Sequence, residues 1–382
     1  MRLRVRVLGS IFDPNRLADV WEFEIPGGMV LARPFGDRLY ILNQTAGFIW
    51  RQFRSGEPAV SICAGFAEAF GVAAEVAERD VKATLEGWER TVLAEAERAA
   101  EAEEVVGVAG LRFSEYVVRG KRFRIGLDSE ELEAEIGPRL AQFRLAHFRG
   151  GEGEADFTLS AGARDGWIRL ARGGKVFGRE ETVSGARAIL LQEVVRLAEG
   201  EGEWVALLHA GSCVGEGGCV VFPGPSGAGK STLAAVMGEG FHSDDSVGVM
   251  KGSLRVPGMP FGMAIREGSW GVVGSRVKGF WELPVVERFG QQVRFLRPVG
   301  MGGAARAVAL VFPRWEAGVA TRVTRLGMVE ALVRLTESGF WCEHSEAGIR
   351  EFLGWVEGLP AYAISYSEVE EAILFMKTLN RG

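Results

Sequence analysis

The chain has 382 residues, of which 47% are hydrophobic and 25% are charged. This composition is typical of a folded protein of roughly two to three domains and excludes a mainly disordered or coiled-coil chain. A net charge of −6, from 44 basic and 50 acidic side chains, disfavours sequence-independent binding to nucleic acid or to an anionic membrane surface.

Strand patterns come first along the chain. Residues 1–10 alternate arginine with leucine or valine, and residues 21–25 alternate large apolar residues with glutamate. Alternation with a period of two predicts strands. The runs at 29–33 and 38–42 flank Gly36-Asp37, and this pattern predicts a β-hairpin.

Three helices are predicted after the hairpin. Asn43 suits the N-cap of the first, while Gly56 and Gly71 suit the ends of the first and second. Their apolar stripes are Ala46, Ile49, Trp50 and Phe53, then Ile62, Phe66 and Phe70, then Val81, Leu85, Trp88 and Val92. Strands followed by three short helices predict a winged-helix-like module. The Glu- and Ala-rich residues 95–104 predict a solvated linker, so we divide the chain into domains at 1–104 and 105–382.

The second domain mixes strand and helix patterns. Its first part has no chemical motif and is predicted to hold strands at 122–125, 157–159 and 167–170 and a helix at 186–197. Apolar strands and glycine turns then alternate up to residue 312. Helices near 328–335 and 346–356, a strand at 361–366 and a last helix complete the pattern. Ser367 and Glu370 fit a capping box for that last helix.

Four cysteines without C-x-x-C spacing fit neither a disulfide framework nor a zinc site, and they favour a reducing, cytoplasmic location. No apolar run reaches the ~18 to 20 residues of a membrane span, so no membrane partner is expected.

The most specific motif follows an apolar strand at 219–222. Residues 224–231 have the G-x-x-x-x-G-K-[ST] pattern of a P-loop, and a helix-compatible segment continues from Thr232. In such a loop, backbone N–H groups surround phosphate, Lys230 reaches the terminal phosphates and the Ser231 hydroxyl ligates Mg²⁺. The predicted nucleotide site consists of Gly224, Pro225, Ser226, Gly227, Ala228, Gly229, Lys230, Ser231 and Thr232.

An acidic pair follows the loop at short spacing. A helix of about ten residues after Gly229 climbs about 15 Å, and the extended segment up to Asp244 returns roughly 13 to 16 Å. Asp244 and Asp245 are therefore expected at the level of the phosphates. There, one carboxylate could hold Mg²⁺ and the other could accept the proton of a hydroxyl substrate. The alternative is a solvated turn that caps the strand ends.

His209 is a further catalytic candidate. If Glu216-Gly217 are the central residues of a tight hairpin turn, His209 lies opposite Gly224, the first residue of the loop. A histidine at that position borders the phosphates. The alternative is a structural histidine that donates to a backbone carbonyl.

The chain contains His209, then the P-loop and then the Asp244-Asp245 pair. This order and spacing resemble the HPr kinase/phosphorylase family, more closely its HPr-kinase-related branch found with peptide-modification enzymes. The resemblance covers about residues 111 to 380. It implies a P-loop kinase core related to phosphoenolpyruvate carboxykinase, with ATP and Mg²⁺, that transfers a phosphoryl group to serine. It also implies that the aspartate pair supplies base and metal ligand, and we assign Asp244 as the base and Asp245 to Mg²⁺, with the exchanged assignment left open.

The first domain resembles pyrroloquinoline quinone synthesis protein D (PqqD), a small domain that recognises leader segments of ribosomally made peptides. The resemblance is carried by residues 42–50, Gly56 and Asp80-Val81, whereas residues 91–93 depart from the usual Gly-Leu. It implies that residues 1–104 bind the peptide as an added strand at a sheet edge. Residues 57–104 hold 12 acidic and 4 basic side chains, which disfavours DNA reading by these helices. A purely structural module is the remaining alternative.

The sequence thus predicts a protein of α/β and α+β class, with a winged-helix-like PqqD-type domain before a P-loop kinase domain. Its predicted function is a cytoplasmic ATP-dependent kinase that captures a precursor peptide and phosphorylates a serine, or less favourably a threonine, of it. One alternative is an HPr-kinase-like regulator that acts on a folded carrier protein. Another is a nucleotide-gated peptide-binding chaperone without kinase chemistry. A homo-oligomer is compatible with the sequence.

Overall fold

The structure, a computed structural model, describes residues 20–34, 38–93, 110–145, 155–199, 203–259, 261–288, 290–298 and 303–381. These residues form two compact units. The first contains the described residues up to 93 together with Leu326–Val333 and Glu343–Gly358, and the second contains the others. The predicted strand at 1–10, the turn at Gly36-Asp37, the linker at 95–104 and the boundary at 104/105 lie outside the described residues.

The first unit begins with strands β1 (Trp21–Ile25), β2 (Gly28–Ala32) and β3 (Tyr40–Asn43) and helices α1 (Gln44–Arg54), α2 (Ala59–Phe70) and α3 (Ala74–Arg90). The strands form an antiparallel sheet in the order β1-β2-β3, so the predicted hairpin is confirmed. The predicted cap of α1 is also confirmed, because the Ala46 N–H donates to Asn43 Oδ1 at 2.9 Å. A cap of this kind contributes about 1 kcal/mol.

The core of this unit lies among the sheet and the three helices. The rings of Trp50 and Trp88 are 5.2 Å apart and nearly perpendicular, which is a favourable edge-to-face arrangement. The predicted apolar stripes supply most of this core. Within the described residues no single helix is long and apolar enough to cross a membrane. The pair α2 and α3 meets that length and composition test together but is bent by 120°.

The second unit begins with a five-stranded sheet and two helices: β4 (Arg112–Val118), β5 (Lys121–Leu127), α4 (Glu130–Leu140), β6 (Phe157–Arg164), β7 (Trp167–Arg172), β8 (Lys175–Glu180) and α5 (Val183–Ala198). The strand order is β4-β5-β6-β7-β8, and among these pairs only β5 and β6 run parallel. Apolar residues of both helices and the sheet share one core. The strands and the helix predicted for this stretch are present.

The rest of the chain forms β9 (Trp204–Leu208), β10 (Ala210–Gly215), β11 (Gly218–Pro223), α6 (Lys230–Val236), β12 (Phe241–Ser243), β13 (Val247–Met250), β14 (Arg255–Val256), β15 (Met263–Arg266), α7 (Trp270–Gly274), β16 (Val285–Arg288), β17 (Gln291–Leu296), β18 (Ala305–Trp315), β19 (Arg322–Leu326), α8 (Met328–Ser338), β20 (Phe340–Cys342), α9 (Glu346–Glu357), β21 (Ala361–Tyr366) and α10 (Val369–Leu379). The capping-box prediction for α10 is wrong, because Glu368 is its N-cap and makes no side-chain cap bond.

A central sheet in the order β12-β10-β11-β18-β21-β19, with β14 also paired to β18, organises this region. The neighbours β11, β18 and β21 are parallel, so their carboxyl ends lie at one edge of the sheet. Two smaller sheets, β13-β9-β20 and β15-β17-β16, complete it. In open α/β sheets, ligands bind at the carboxyl ends of parallel strands.

Helix α9 belongs to the first unit and packs against β1. The Arg350 guanidinium lies 5.1 Å from the centre of the Phe23 ring, and His344 Nε2 is 2.6 Å from the carbonyl oxygen of Arg33. The division made from sequence placed this helix in the second domain. The first unit is therefore built from three stretches of chain, and the second and third lie far from the first in sequence.

Candidate functional site

The predicted site residues lie at the carboxyl edge of the central sheet. The loop 224–229 follows β11 directly, and His209 immediately precedes β10, which is antiparallel to β11. Asp244 immediately follows β12, which is antiparallel to β10. Trp315 and Tyr366 end β18 and β21. Along the edge, the order is therefore the aspartate pair, His209, the loop, Trp315 and Tyr366.

Residues 224–229 surround the side chain of Lys230. Gly227 and Gly229 have φ values of 89° and 94°, in the left-handed region that glycine adopts without strain. Lys230 Nζ donates to the carbonyl oxygens of Gly224 at 2.6 Å and Pro225 at 3.0 Å. Burial lowers the pKa of Lys230, against the opposing influence of the two nearby aspartates. The loop thus holds a buried ammonium group beside its backbone.

Asp244 returns to the level of the loop, as the chain lengths predicted. Helix α6 has 7 residues, fewer than the ten expected, and a short 3-10 turn at Gly238–Gly240 leads into β12. The Ser231 hydroxyl donates to Asp244 Oδ1 at 2.9 Å. Asp244 is buried, so it does not belong to a solvated turn. Burial, followed by repulsion from Asp245, raises the pKa of Asp244.

The pair Ser231 and Asp244 fits a magnesium ion. Both supply hard oxygen atoms, and Mg²⁺ in phosphoryl-transfer sites usually takes one or two carboxylates, with phosphates and water as the other ligands. Within the described residues no group of three or more His, Cys, Asp or Glu side chains could hold a metal by itself. An ion at this place would take the Ser231 hydroxyl and the Asp244 carboxylate as two of its ligands.

Asp245 is held by two buried arginines. Its Oδ2 forms an ion pair with Arg187 and lies 3.7 Å from an Arg139 nitrogen. Burial by itself raises the pKa of Asp245, but Arg187, Arg139 and the bond to His209 outweigh it and hold the pKa well below the usual 3.8. Its φ of 69° is in a region that aspartate visits more often than most residues. Asp245 is therefore an ionised carboxylate in a fixed position.

His209 lies between the loop and Asp245. The pairing of Ala210 with Pro223 confirms the register predicted from the hairpin turn. His209 Nδ1 donates to the carbonyl oxygen of Ser338 at 2.9 Å, because a carbonyl can only accept. Its Nε2 is 3.6 Å from Asp245 Oδ1. The ring is thus anchored to a backbone carbonyl, as the structural alternative expects, while its other nitrogen faces the carboxylate.

Arg139 and Arg187 were not identified from the sequence. They lie on α4 and α5, in the stretch that has no chemical motif, and both are buried. Glu135, also buried, is bonded to Arg187 and to Arg288 of β16. The sequence signal that could have identified Arg187 is a charged residue within the apolar stripe of a helix. On α5, Arg187 is buried together with Ala186 and Leu190, and an arginine is rarely buried without a partner.

Arg266 was also missed. Its guanidinium donates to the Ser226 hydroxyl at 3.1 Å, so it lies at the tip of the loop. Three residues later, Ser269 Oγ is 2.6 Å from Thr232 Oγ1. Arg266, the last residue of β15, and Ser269, which follows it, therefore contact residues 226–232 at two points.

A sequence model of the family described as "Coenzyme PQQ synthesis protein D (PqqD)" matches residues 28–93. The matched residues contain β2, β3 and the three helices α1 to α3. No curated protein matches the chain. The chain is thus a mixed α/β protein with a PqqD domain near its N-terminus.

Proposed function

We propose that this protein is a cytoplasmic ATP-dependent kinase that binds a ribosomally made precursor peptide through its PqqD domain and phosphorylates a serine of that peptide. The observation that carries the kinase proposal is the bond between Ser231 and Asp244 on a P-loop that also borders Asp245 and His209. PqqD domains bind precursor peptides, and the match over residues 28–93 supports a peptide partner.

The outer side of β3 is the proposed docking edge for the peptide. Strand β2 lies between β1 and β3 and is paired on both sides, and α9 packs against β1. Among the described residues, no strand pairs with the outer side of β3. An extended peptide that adds to this edge would form main-chain hydrogen bonds, which tolerate varied peptide sequences.

The loop 224–231 is the proposed phosphate site. Its glycines let backbone N–H groups approach an anion, and Lys230 supplies a positive charge within the loop. Arg266 at the loop tip adds a second charge. Ser231 and Asp244 would hold Mg²⁺, which would offset the negative charge that develops during transfer.

In the proposed reaction, the serine hydroxyl oxygen attacks the γ-phosphorus and the bond to the β–γ bridging oxygen breaks, so ADP leaves. The hydroxyl proton passes to Asp245. Arg187 and Arg139 keep this carboxylate ionised and oriented. A carboxylate of low pKa is a weak base, but a loose transition state needs orientation of the nucleophile more than early proton removal. The proposal exchanges the roles first assigned to the two aspartates, because Asp244 is the one that contacts Ser231.

The test is mass spectrometry of short peptides encoded beside the gene, after incubation with protein, ATP and Mg²⁺. The expected product carries one phosphoryl group on a serine, and it is absent with Lys230→Met. Binding of peptide and ATP without a phosphopeptide would contradict the proposal and favour the chaperone alternative. Phosphorylation of a folded carrier protein that does not depend on β3 would favour the HPr-kinase-like regulator.

A further inference from the structure

The two flanks of the P-loop differ in chemistry. The flank towards β10 and β12 carries His209 and the aspartate pair, which are the groups suited to phosphoryl transfer. The flank towards β18 and β21 ends in two aromatic residues, Trp315 and Tyr366, which are paired in the parallel register of these strands. The proposed kinase reaction leaves this aromatic flank without a role.

Trp315 lies beside the loop because β18 is the longer strand. Val221 of β11 is paired with Leu310 of β18. After this pair, β11 continues for two more residues and β18 for five more. Three additional residues of strand extend about 10 Å further. A Cβ placed on Gly229 would be 3.7 Å from Trp315 Cβ and 2.5 Å from the Tyr366 hydroxyl. Trp315 and Tyr366 therefore border the loop at Gly229.

Trp315 is held in place while much of its side chain stays accessible. The residue is 53% exposed, although its indole N–H donates to the carbonyl oxygen of Ser367 at 3.1 Å. The next residue is fixed as well, since the Glu316 N–H donates to the Tyr366 carbonyl oxygen at 2.9 Å. Single exposed apolar residues are common on protein surfaces. Here the position at the carboxyl edge, against the P-loop, is what indicates a ligand.

We propose that Trp315 is the stacking platform for the base of a purine nucleoside triphosphate whose phosphates occupy the P-loop. This inference rests on the proposed nucleotide site. In a nucleoside triphosphate the γ-phosphate and the base are at opposite ends. With the γ-phosphate towards Asp245 and His209, the base is directed to the opposite flank, where Trp315 lies. Stacking uses the π-face that every base has, so the platform is expected to accept adenine and guanine alike.

Isothermal titration calorimetry with two probes, ATP and inorganic tripolyphosphate, each with Mg²⁺, separates the base from the phosphates. We expect Trp315→Ala to raise the Kd for ATP about 10-fold or more and to leave the Kd for tripolyphosphate within about twofold. Trp315→Phe, which keeps an aromatic face, should retain most of the ATP affinity. The matched control is Trp167→Ala, since Trp167 is 42% exposed on β7 of the five-stranded sheet and should change neither Kd.

Equal ATP affinity of Trp315→Ala and wild type would overturn the inference while the nucleotide site stands. An equal loss of ATP and tripolyphosphate affinity would also overturn it, because Trp315 would then only support the loop. Failure of the wild type to bind either probe would overturn the nucleotide site itself, and the platform with it. If Trp315→Ala does not fold, fluorescence decides: ATP, but not tripolyphosphate, should quench a tryptophan signal that Trp315→Phe lacks, and an identical response of the two proteins would refute the platform.

Discussion

The first unit and the region around residues 224–231 offer their proposed partners different kinds of contact. At β3 the proposed contact is a row of backbone N–H and C=O groups. The region around residues 224–231 instead offers a few charged side chains in fixed positions. A backbone edge tolerates changes of side chain but not the loss of an N–H group. A charged site fails when one side chain is removed. The two regions should therefore respond very differently to single substitutions.

The largest effect is expected at Lys230. Lys230→Met keeps the apolar stem and removes the charge that the loop encloses, so turnover should fall by at least about 100-fold. The melting temperature should stay close to that of the wild type. Phosphopeptide formation measured by mass spectrometry checks the first expectation, and a thermal melt checks the second. A folded variant with normal turnover would remove the P-loop from the reaction.

The second-largest effect is expected to separate the roles of Asp244 and Asp245. If Asp244 holds Mg²⁺ with Ser231, Asp244→Asn should raise the Mg²⁺ concentration needed for half-maximal turnover, with partial recovery at high Mg²⁺. Asp245→Asn should lower kcat by about 100-fold or more and leave the Mg²⁺ requirement unchanged. Magnesium titrations of kcat for both variants separate the roles. Exchanged results would support the assignment first made from the sequence, with Asp244 as the base.

A third, smaller effect is expected at β3. Tyr40→Pro and Ile41→Pro differ by one position, so only one of the two removes an N–H that faces away from β2. The variant that keeps the wild-type melting temperature should raise KM for the full-length peptide about 10-fold with kcat nearly unchanged. Full kinetics with a verified substrate test this. Unchanged KM in a folded edge variant would leave the first unit with a packing or regulatory role only.

Point substitutions at β3 are preferable to deletion of residues 1–104. That deletion would remove Arg33 and Phe23, which are the partners of His344 and Arg350. A higher KM in the deleted protein would then report damage to α9 as much as loss of peptide capture.

The smallest effect is expected in the reactivity of the cysteine thiols, which differs between the two units. Cys63 of the first unit is partly exposed, whereas Cys213, Cys219 and Cys342 are buried. Burial raises the pKa of Cys213 to about 12, so its thiolate is scarce at pH 8. A colorimetric thiol reagent should modify one cysteine of the native protein at that pH and all four after denaturation. Rapid modification of two or more native thiols would contradict the burial of Cys213, Cys219 or Cys342.

The parts of the site that the sequence predicted depend on short-range geometry. The register that places His209 follows from a two-residue turn, and the return of Asp244 follows from the lengths of one helix and one strand. The same is true of the Asn43 cap in the first unit. Each of these features involves residues that are close together in sequence, so local rules were sufficient to predict it.

The parts that were missed depend on contacts between distant segments. Arg139 and Arg187 reach Asp245 from about 106 and 58 residues away in sequence, and no local pattern on α4 or α5 identifies that partner. The sequence predicted a helix near 346–356 but not that this helix packs against β1. Periodicity indicates that a helix is packed, and only the tertiary structure decides what it packs against.

The discontinuity of the first unit has a consequence for synthesis on the ribosome. Roughly 250 residues separate the end of α3 from the start of α9, and at about 5 to 20 residues per second their translation takes on the order of 10 to 50 s. During that interval the nascent β1 lacks the helix that later packs against it. Co-translational folding of this unit is therefore completed late, after most of the second unit has been made. For the same reason, a separately expressed fragment of the first 104 residues should gain stability when a peptide of residues 343–358 is supplied in trans.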